Sequence, residues 1–315
     1  MLTTSAEAAR ADPRADHKKG LLLTSLGVLI LTPDSLLVRL IDAEPFTLLV
    51  WRGLLQALGI LAILAVLYRG RLVAPFRAVG RWGLLLAAVF SGCTLFFILA
   101  LSLTAVADVL VIVAAAPLAA AVFSLVFLGE GVPARTWIAI SLALAGIALL
   151  VFEDLGTGSL MGDLAAGVCA LCIGATFTIT RHARAVSMVP AMALAGLLTA
   201  AVALPIALLT ESGSLFFTGA QLGYTLAMGL VVVPLSFALI TLGPRYLPAA
   251  EVGLILLLET VLGPLWVWLA IGEYPGDLAL AGGALVVATL AGHSLAGARQ
   301  RRRTARRPAL GDLPS

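Results

Sequence analysis

The sequence predicts an all-α integral membrane protein whose ten transmembrane helices form two inverted five-helix repeats. Three observations carry that prediction: a composition too apolar for water, basic residues confined to alternate loops, and an internal repeat that aligns Ala107 with Ala250. Of the 315 residues 61% are hydrophobic and 12% charged, against roughly 45–50% and 25% in an ordinary soluble domain. The charges fall between long apolar runs instead of alternating along them, so no polar surface is available to wrap a core. Three scattered cysteines exclude a disulfide-framed secreted domain. Cys169 and Cys172 lie inside an apolar run, without the second pair that a zinc site needs, and read as helix packing. The net charge of +3 comes from short clusters beside apolar segments with no aromatic interleaving, which excludes a nucleic-acid surface.

A hydrocarbon core about 30 Å thick is crossed by about 20 helical residues. Cutting the chain at its polar and Pro/Gly punctuation gives ten segments of that size. They run over 20–40, 47–67, 82–101, 105–128, 135–152, 163–181, 190–209, 221–242, 249–271 and 278–298. The connecting loops are all short, so no soluble nucleotide-binding domain fits, and no Walker-type glycine loop is present. Short cytoplasmic loops collect Lys and Arg. Here all but two of the 20 basic residues fall in the two tails, in the loops after segments 2, 4, 6 and 8, or at the segment ends bordering those loops (Arg135 and Arg181), and the other two, Arg39 and Arg52, lie within segments. Both termini are therefore expected in the cytoplasm of a bacterial cytoplasmic (inner) membrane protein. Residues 1–19 are expected to form a polar, disordered tail without a cleavable apolar core, and 299–315 a basic one.

The repeat is read by aligning the halves. Ala107-Asp108-Val109 matches Ala250-Glu251-Val252, and at the same distance after each acid comes Gly129-Glu130 or Gly272-Glu273, followed by Pro133 or Pro275. Five spans separate the copies, and an odd number inserts the second half upside down. Residues 20–152 and 163–298 are the two expected units. Inverted repeats of this kind are the usual architecture of alternating-access transporters.

Val50-Trp51-Arg52-Gly53, the stretch from Ala115-Ala116-Pro117 to Leu128-Gly129-Glu130, and the stretch from Arg245-Tyr246-Leu247-Pro248-Ala249-Ala250-Glu251 to Ile271-Gly272-Glu273 carry a family resemblance. Over about residues 20–298 the chain resembles the EamA-type branch of the drug/metabolite transporter superfamily. One departure is visible: the second-half counterpart of Pro117 is Thr260, with Pro264 displaced by four. The resemblance implies a 5+5 carrier with a central cavity that exports or exchanges small organic solutes, and it leaves the solute open.

An ionisable side chain near mid-membrane costs about 2.5–3.5 kcal/mol on insertion scales and normally faces a cavity or a partner. Glu259 falls at the middle of segment 249–271 and is the first candidate for proton coupling. Asp34 follows Thr32-Pro33, where proline frees carbonyls inside the membrane as at a binding site or gate, the alternative being a structural ion pair with Arg39 or Arg52. Arg52 either pairs with Asp34 or grips an anionic group bidentately, and Gln56 stands one turn further along. Phe96, Phe97, Thr176, Thr178 and Phe237 are candidate cavity residues, although ordinary helix packing explains such side chains equally. His293 is a candidate proton relay; Trp51 reads as an interfacial anchor. Glu130, Glu273, Asp108 and Glu251 near segment ends read as caps or gate partners, and His182 as a loop residue. No catalytic constellation, metal-ligand spacing or cofactor motif stands out. The reading is a secondary transporter of small organic metabolites, amino acids or related solutes, with protons as the candidate coupling ion, acting as a monomer or homodimer. A membrane-embedded enzyme, a channel or a non-transporting scaffold is the alternative.

Overall fold

The computed structural model describes residues 13–103, 109, 112–150, 159–210, 216–217, 219–272 and 277–306. Asp108, Glu273 and Pro275 lie outside them. Every regular element among the described residues is helical. In chain order these are α1 (Pro13–Leu31), α2 (Asp34–Ile41), α3 (Pro45–Leu67), α4 (Val73–Leu103), α5 (Ala116–Phe123), α6 (Ala134–Leu150), α7 (Leu160–His182), α8 (Val189–Thr210), α9 (Gly219–Leu226), α10 (Val233–Leu242), α11 (Ala249–Ile271) and α12 (Asp277–Arg306).

Seven stretches are long and apolar enough to cross a membrane: Asp16–Ile41, Pro45–Leu67, Val73–Ala100, Leu160–His182, Val189–Thr210, Gly219–Arg245 and Ala249–Ala270. They match segments 1, 2, 3, 6, 7, 8 and 9. Segments 4, 5 and 10 contain shorter apolar helices, Ala116–Leu128, Ala134–Leu149 and Leu280–His293. The outer surface is apolar as well: Leu209 is 85% and Phe127 72% exposed, which lipid accommodates and water does not.

Helix ends follow local chemistry. Pro45 sits in the first turn of α3, where its missing N–H costs nothing. A π-helical turn, Ser124–Leu128, continues α5, and another, Ala227–Val232, joins α9 to α10. Gly129 and Gly272, counterparts in the repeat, both adopt left-handed backbone, with φ 64° and 81°. The Gly129 N–H caps the Ser124 carbonyl and the Gly272 N–H the Trp268 carbonyl, so the repeated Gly-Glu pair marks two glycine-capped helix ends. Helix extends further than the polar tails suggest. α1 begins at Pro13 and α12 runs to Arg306, because the flanking residues continue an i→i−4 ladder that apolar segments have already nucleated. α4 likewise starts at Val73, with a bend at Gly80.

Helix packing maps onto itself when the halves are exchanged. α3 packs on α8, α5 on α11 and α6 on α12, so each helix meets its own counterpart. The α4–α7 contact is matched by α1–α10, α4–α8 by α10–α3, and α5–α7 by α1–α11. Where α3 crosses α8, a Cβ on Gly53 would lie 2.5 Å from the Gly196 carbonyl oxygen, and a Cβ on Gly196 2.6 Å from that of Gly53. The repeat alignment puts these two glycines at the same position, and the contact is reciprocal, as a two-fold relation requires. Without a hydrophobic drive between helices in lipid, close backbone approach of this kind is what holds helices together.

Candidate functional site

The first segment breaks where proline predicts it. Pro33 has no N–H to offer the preceding turn, so α1 stops at Leu31 and α2 restarts at Asp34. The buried Thr32 hydroxyl stitches the break: it donates to the Leu29 carbonyl at 2.8 Å and accepts from Trp266 Nε1 of α11 at 2.9 Å. Asp34, also buried, receives Arg52 from α3, whose Nη1 donates to Oδ1 at 2.8 Å and lies 3.7 Å from Met228 Sδ.

Glu259 is seven residues before Trp266, two turns along the same face of α11. It is half-buried and within electrostatic reach of both Asp34 and Arg52. The guanidinium is bonded to Asp34, and Glu259 is a second carboxylate within its electrostatic influence. In fully ionised form the group carries one uncompensated negative charge, which a proton or a cationic group on a solute neutralises. This group breaks the symmetry of its scaffold, since the repeat alignment sets Phe177, Ala195 and Ala116 opposite Asp34, Arg52 and Glu259.

The remaining candidates disperse. Gln56 is buried with its amide turned to α8, donating to the Met192 carbonyl at 2.9 Å, so the structure separates it from Arg52. Phe97 packs against Ala100, Val109, Ala165 and Ala166 between α4 and α7, and Phe96 is exposed. Thr178 Oγ1 donates to the Gly174 carbonyl at 2.8 Å. The buried Thr176 hydroxyl has no hydrogen-bond partner among the described residues. Phe237 stacks edge-on against Phe90 at 4.9 Å and borders three core clusters, the most central position of the candidate aromatics. Trp51 meets Phe216 and Phe217, each at 6.3 Å between ring centroids. His182 is the last residue of α7, 4.5 Å from the Trp82 ring.

Sequence reasoning missed the groupings at the basic ends of the helices. Arg181 Nε donates to Glu130 at 3.0 and 3.2 Å, and its Nη1 to the Pro244 carbonyl at 3.2 Å. Buried Glu251 gathers His17, Arg135 and His293, which places His293 away from Asp34 and Arg52. The signals for these pairings were the shared loop side and the internal repeat. Cys169, read as helix packing, lies 3.7 Å from Cys93 where α7 meets α4.

A broken helix and a charged group that the repeat does not duplicate, inside a scaffold whose helix contacts recur between the halves, can now be set beside known proteins. A solved crystal structure, described only as that of a protein, superposes with a TM-score of 0.76 at 22% identity, covering 90% of this chain and 99% of that one. It shares the fold. No curated protein matches the chain. The model of the EamA-like transporter family matches twice, over residues 18–152 and 160–295, once in each half of the chain. This multi-pass membrane protein therefore belongs to the EamA-like transporter family.

Proposed function

We propose that the protein is a secondary active transporter that exports or exchanges small organic metabolites, amino acids or related solutes, by alternating access between its two halves. In this reading the chain crosses a bacterial cytoplasmic membrane ten times with both termini in the cytoplasm. Residues 20–152 and 163–298 are inverted repeats related by an axis in the membrane plane. The observation that carries the reading is the Asp34–Arg52 pair beside Glu259 at a helix break, in a scaffold whose packing is otherwise two-fold. A solute carboxylate competes with Asp34 for the Arg52 fork, and an ammonium group or a proton competes for Glu259. The solute then exchanges with an ion pair that the empty carrier makes for itself, so that Arg52 keeps an anionic partner in both states.

A thermal-shift screen of metabolites on the purified protein tests this, because a ligand stabilises the form it binds by mass action. The reading expects at least one small organic solute to raise the melting temperature, and Arg52→Lys to reduce that rise. A hit whose shift ignores substitutions at Asp34, Arg52 and Glu259 moves the binding site elsewhere. Uptake into proteoliposomes by the same hit separates a carrier from a scaffold.

A further inference from the structure

The chain has three histidines, and two of them, His17 of α1 and His293 of α12, flank one buried carboxylate, that of Glu251 at the start of α11. His17 Nε2 lies 3.7 Å from Glu251 Oε2, while His293 Nε2 and Arg135 Nη2 lie 3.9 and 3.7 Å from Oε1. Around them is a cavity of about 20 Å³, lined also by Leu21, Leu254, Ile255 and Leu290. That volume is enough for one water. The four side chains come from four helices, α1 and α6 of the first half and α11 and α12 of the second.

We propose that His17, Arg135, Glu251 and His293 form a proton-binding site, separate from the Asp34–Arg52–Glu259 group, whose occupation latches the two halves together at the basic ends of their helices. An imidazolium is attracted to the Glu251 carboxylate, whereas a neutral ring contributes at most a hydrogen bond. With both rings neutral, Arg135 is the cation that balances Glu251 across the interface. The first proton adds a second cation to the opposite side of the carboxylate, since His17 faces Oε2 and Arg135 faces Oε1. The latch is thus present below the histidine titration and lost as the pH rises through it.

Among the described residues, further charges lie on α11 and the helices packed against it, Glu259, Arg39, Asp163, Asp277 and the arginines that end α12 among them. Asp34 of α2 engages Arg52, Arg181 of α7 engages Glu130, Arg245 donates to the Arg184 carbonyl, and α5 carries no charged side chain. On α1, Lys19 lies over the Tyr246 ring at 5.1 Å, and Asp16 and Lys18, the chain neighbours of His17, carry opposite charges. The effect concerns the scaffold and is independent of which solute the carrier takes, so it is tested without one.

Spin labels at Leu22→Cys and Leu295→Cys report the gap between α1 and α12; both positions are exposed, at 69% and 59%, and belong to opposite halves. With Cys93, Cys169 and Cys172 replaced by alanine, the full chain in lipid nanodiscs is measured by double electron–electron resonance from about pH 5 to 8.5. The expected result is a narrow distance distribution at low pH that lengthens by roughly 5 Å, one helical turn, and broadens at high pH. His17→Gln combined with His293→Gln holds the high-pH distribution throughout, and so does Glu251→Gln. His182→Gln, the remaining histidine, leaves the response in place. A distribution independent of pH in the parent, or an undiminished response in the double histidine variant, overturns the proposal. Amide hydrogen exchange at residues 17–24 and 286–293 of the unsubstituted chain, corrected for intrinsic pH dependence, reads the same opening without labels.

Discussion

Glu259 lies within electrostatic influence of an Arg52 already bonded to Asp34, so neutrality of the three-residue group requires one more positive charge than the group supplies. If that charge is the transported proton, Glu259→Gln keeps the shape of the protonated acid while removing its titration. Transport by this variant is expected to be flat between about pH 5 and 8 where the parent's varies, with folding and insertion retained; transport assayed in proteoliposomes across that range checks it. Unchanged pH dependence would reassign the residue to packing. The ion pair makes a second prediction. Arg52→Met strands the Asp34 carboxylate and is expected to cost about 3–5 kcal/mol, whereas Arg52→Met with Asp34→Asn recovers most of it. Denaturation of the two variants in one detergent decides this. The Asp34–Arg52 pair was legible in the sequence because a charge inside an apolar run must find a partner. Gln56 was not, because an uncharged amide is satisfied by any carbonyl, and here the Met192 carbonyl on another helix takes it. The Glu251 cluster was hidden for a different reason: its members come from four helices, and sequence spacing carries no distance between helices.

Proline and glycine made the elements readable wherever they act through their own backbone. Pro33 broke the first segment as expected, and the glycines of the repeated Gly-Glu pairs, Gly129 and Gly272, are left-handed caps. The π-helical turns after α5 and α9 were not foreseeable, since no residue type encodes the extra residue in the turn and neighbouring helices decide whether it is accommodated. The crossing of α3 over α8 gives an element-scale prediction. Gly53→Ala forces a methyl group against the Gly196 carbonyl and is expected to destabilise by about 1–3 kcal/mol. Gly196→Ala should behave alike. Gly92→Ala in α4, where a Cβ meets nothing within 4 Å, should be neutral or slightly stabilising. Thermal unfolding of the three variants side by side is the measurement, and equal effects at Gly53 and Gly92 would remove the close crossing from the account.

At the scale of the whole molecule, seven of the ten segments expected from composition and charge alternation fall on long apolar helices and the other three on shorter ones. The topology itself is tested by fusion reporters: one after Arg307 is expected to be active in the cytoplasm, and one in the Thr210 to Ala220 loop outside. An external C-terminus sinks the ten-crossing arrangement. Composition and periodicity fix such global quantities because every residue contributes to them, whereas the charged group depends on three residues whose counterparts are Phe177, Ala195 and Ala116, and no period announces an exception to itself. The Gly53–Gly196 contact has one more consequence. If a single five-helix unit once paired with an identical copy, these two positions were one residue meeting its own image. One change in the gene then placed two side chains at one point, doubling every clash. Fusing the copies into one chain released that restriction, since each glycine now mutates alone, and yet both remain glycine. The polar group, by contrast, is one that only an unequal pair of halves can hold.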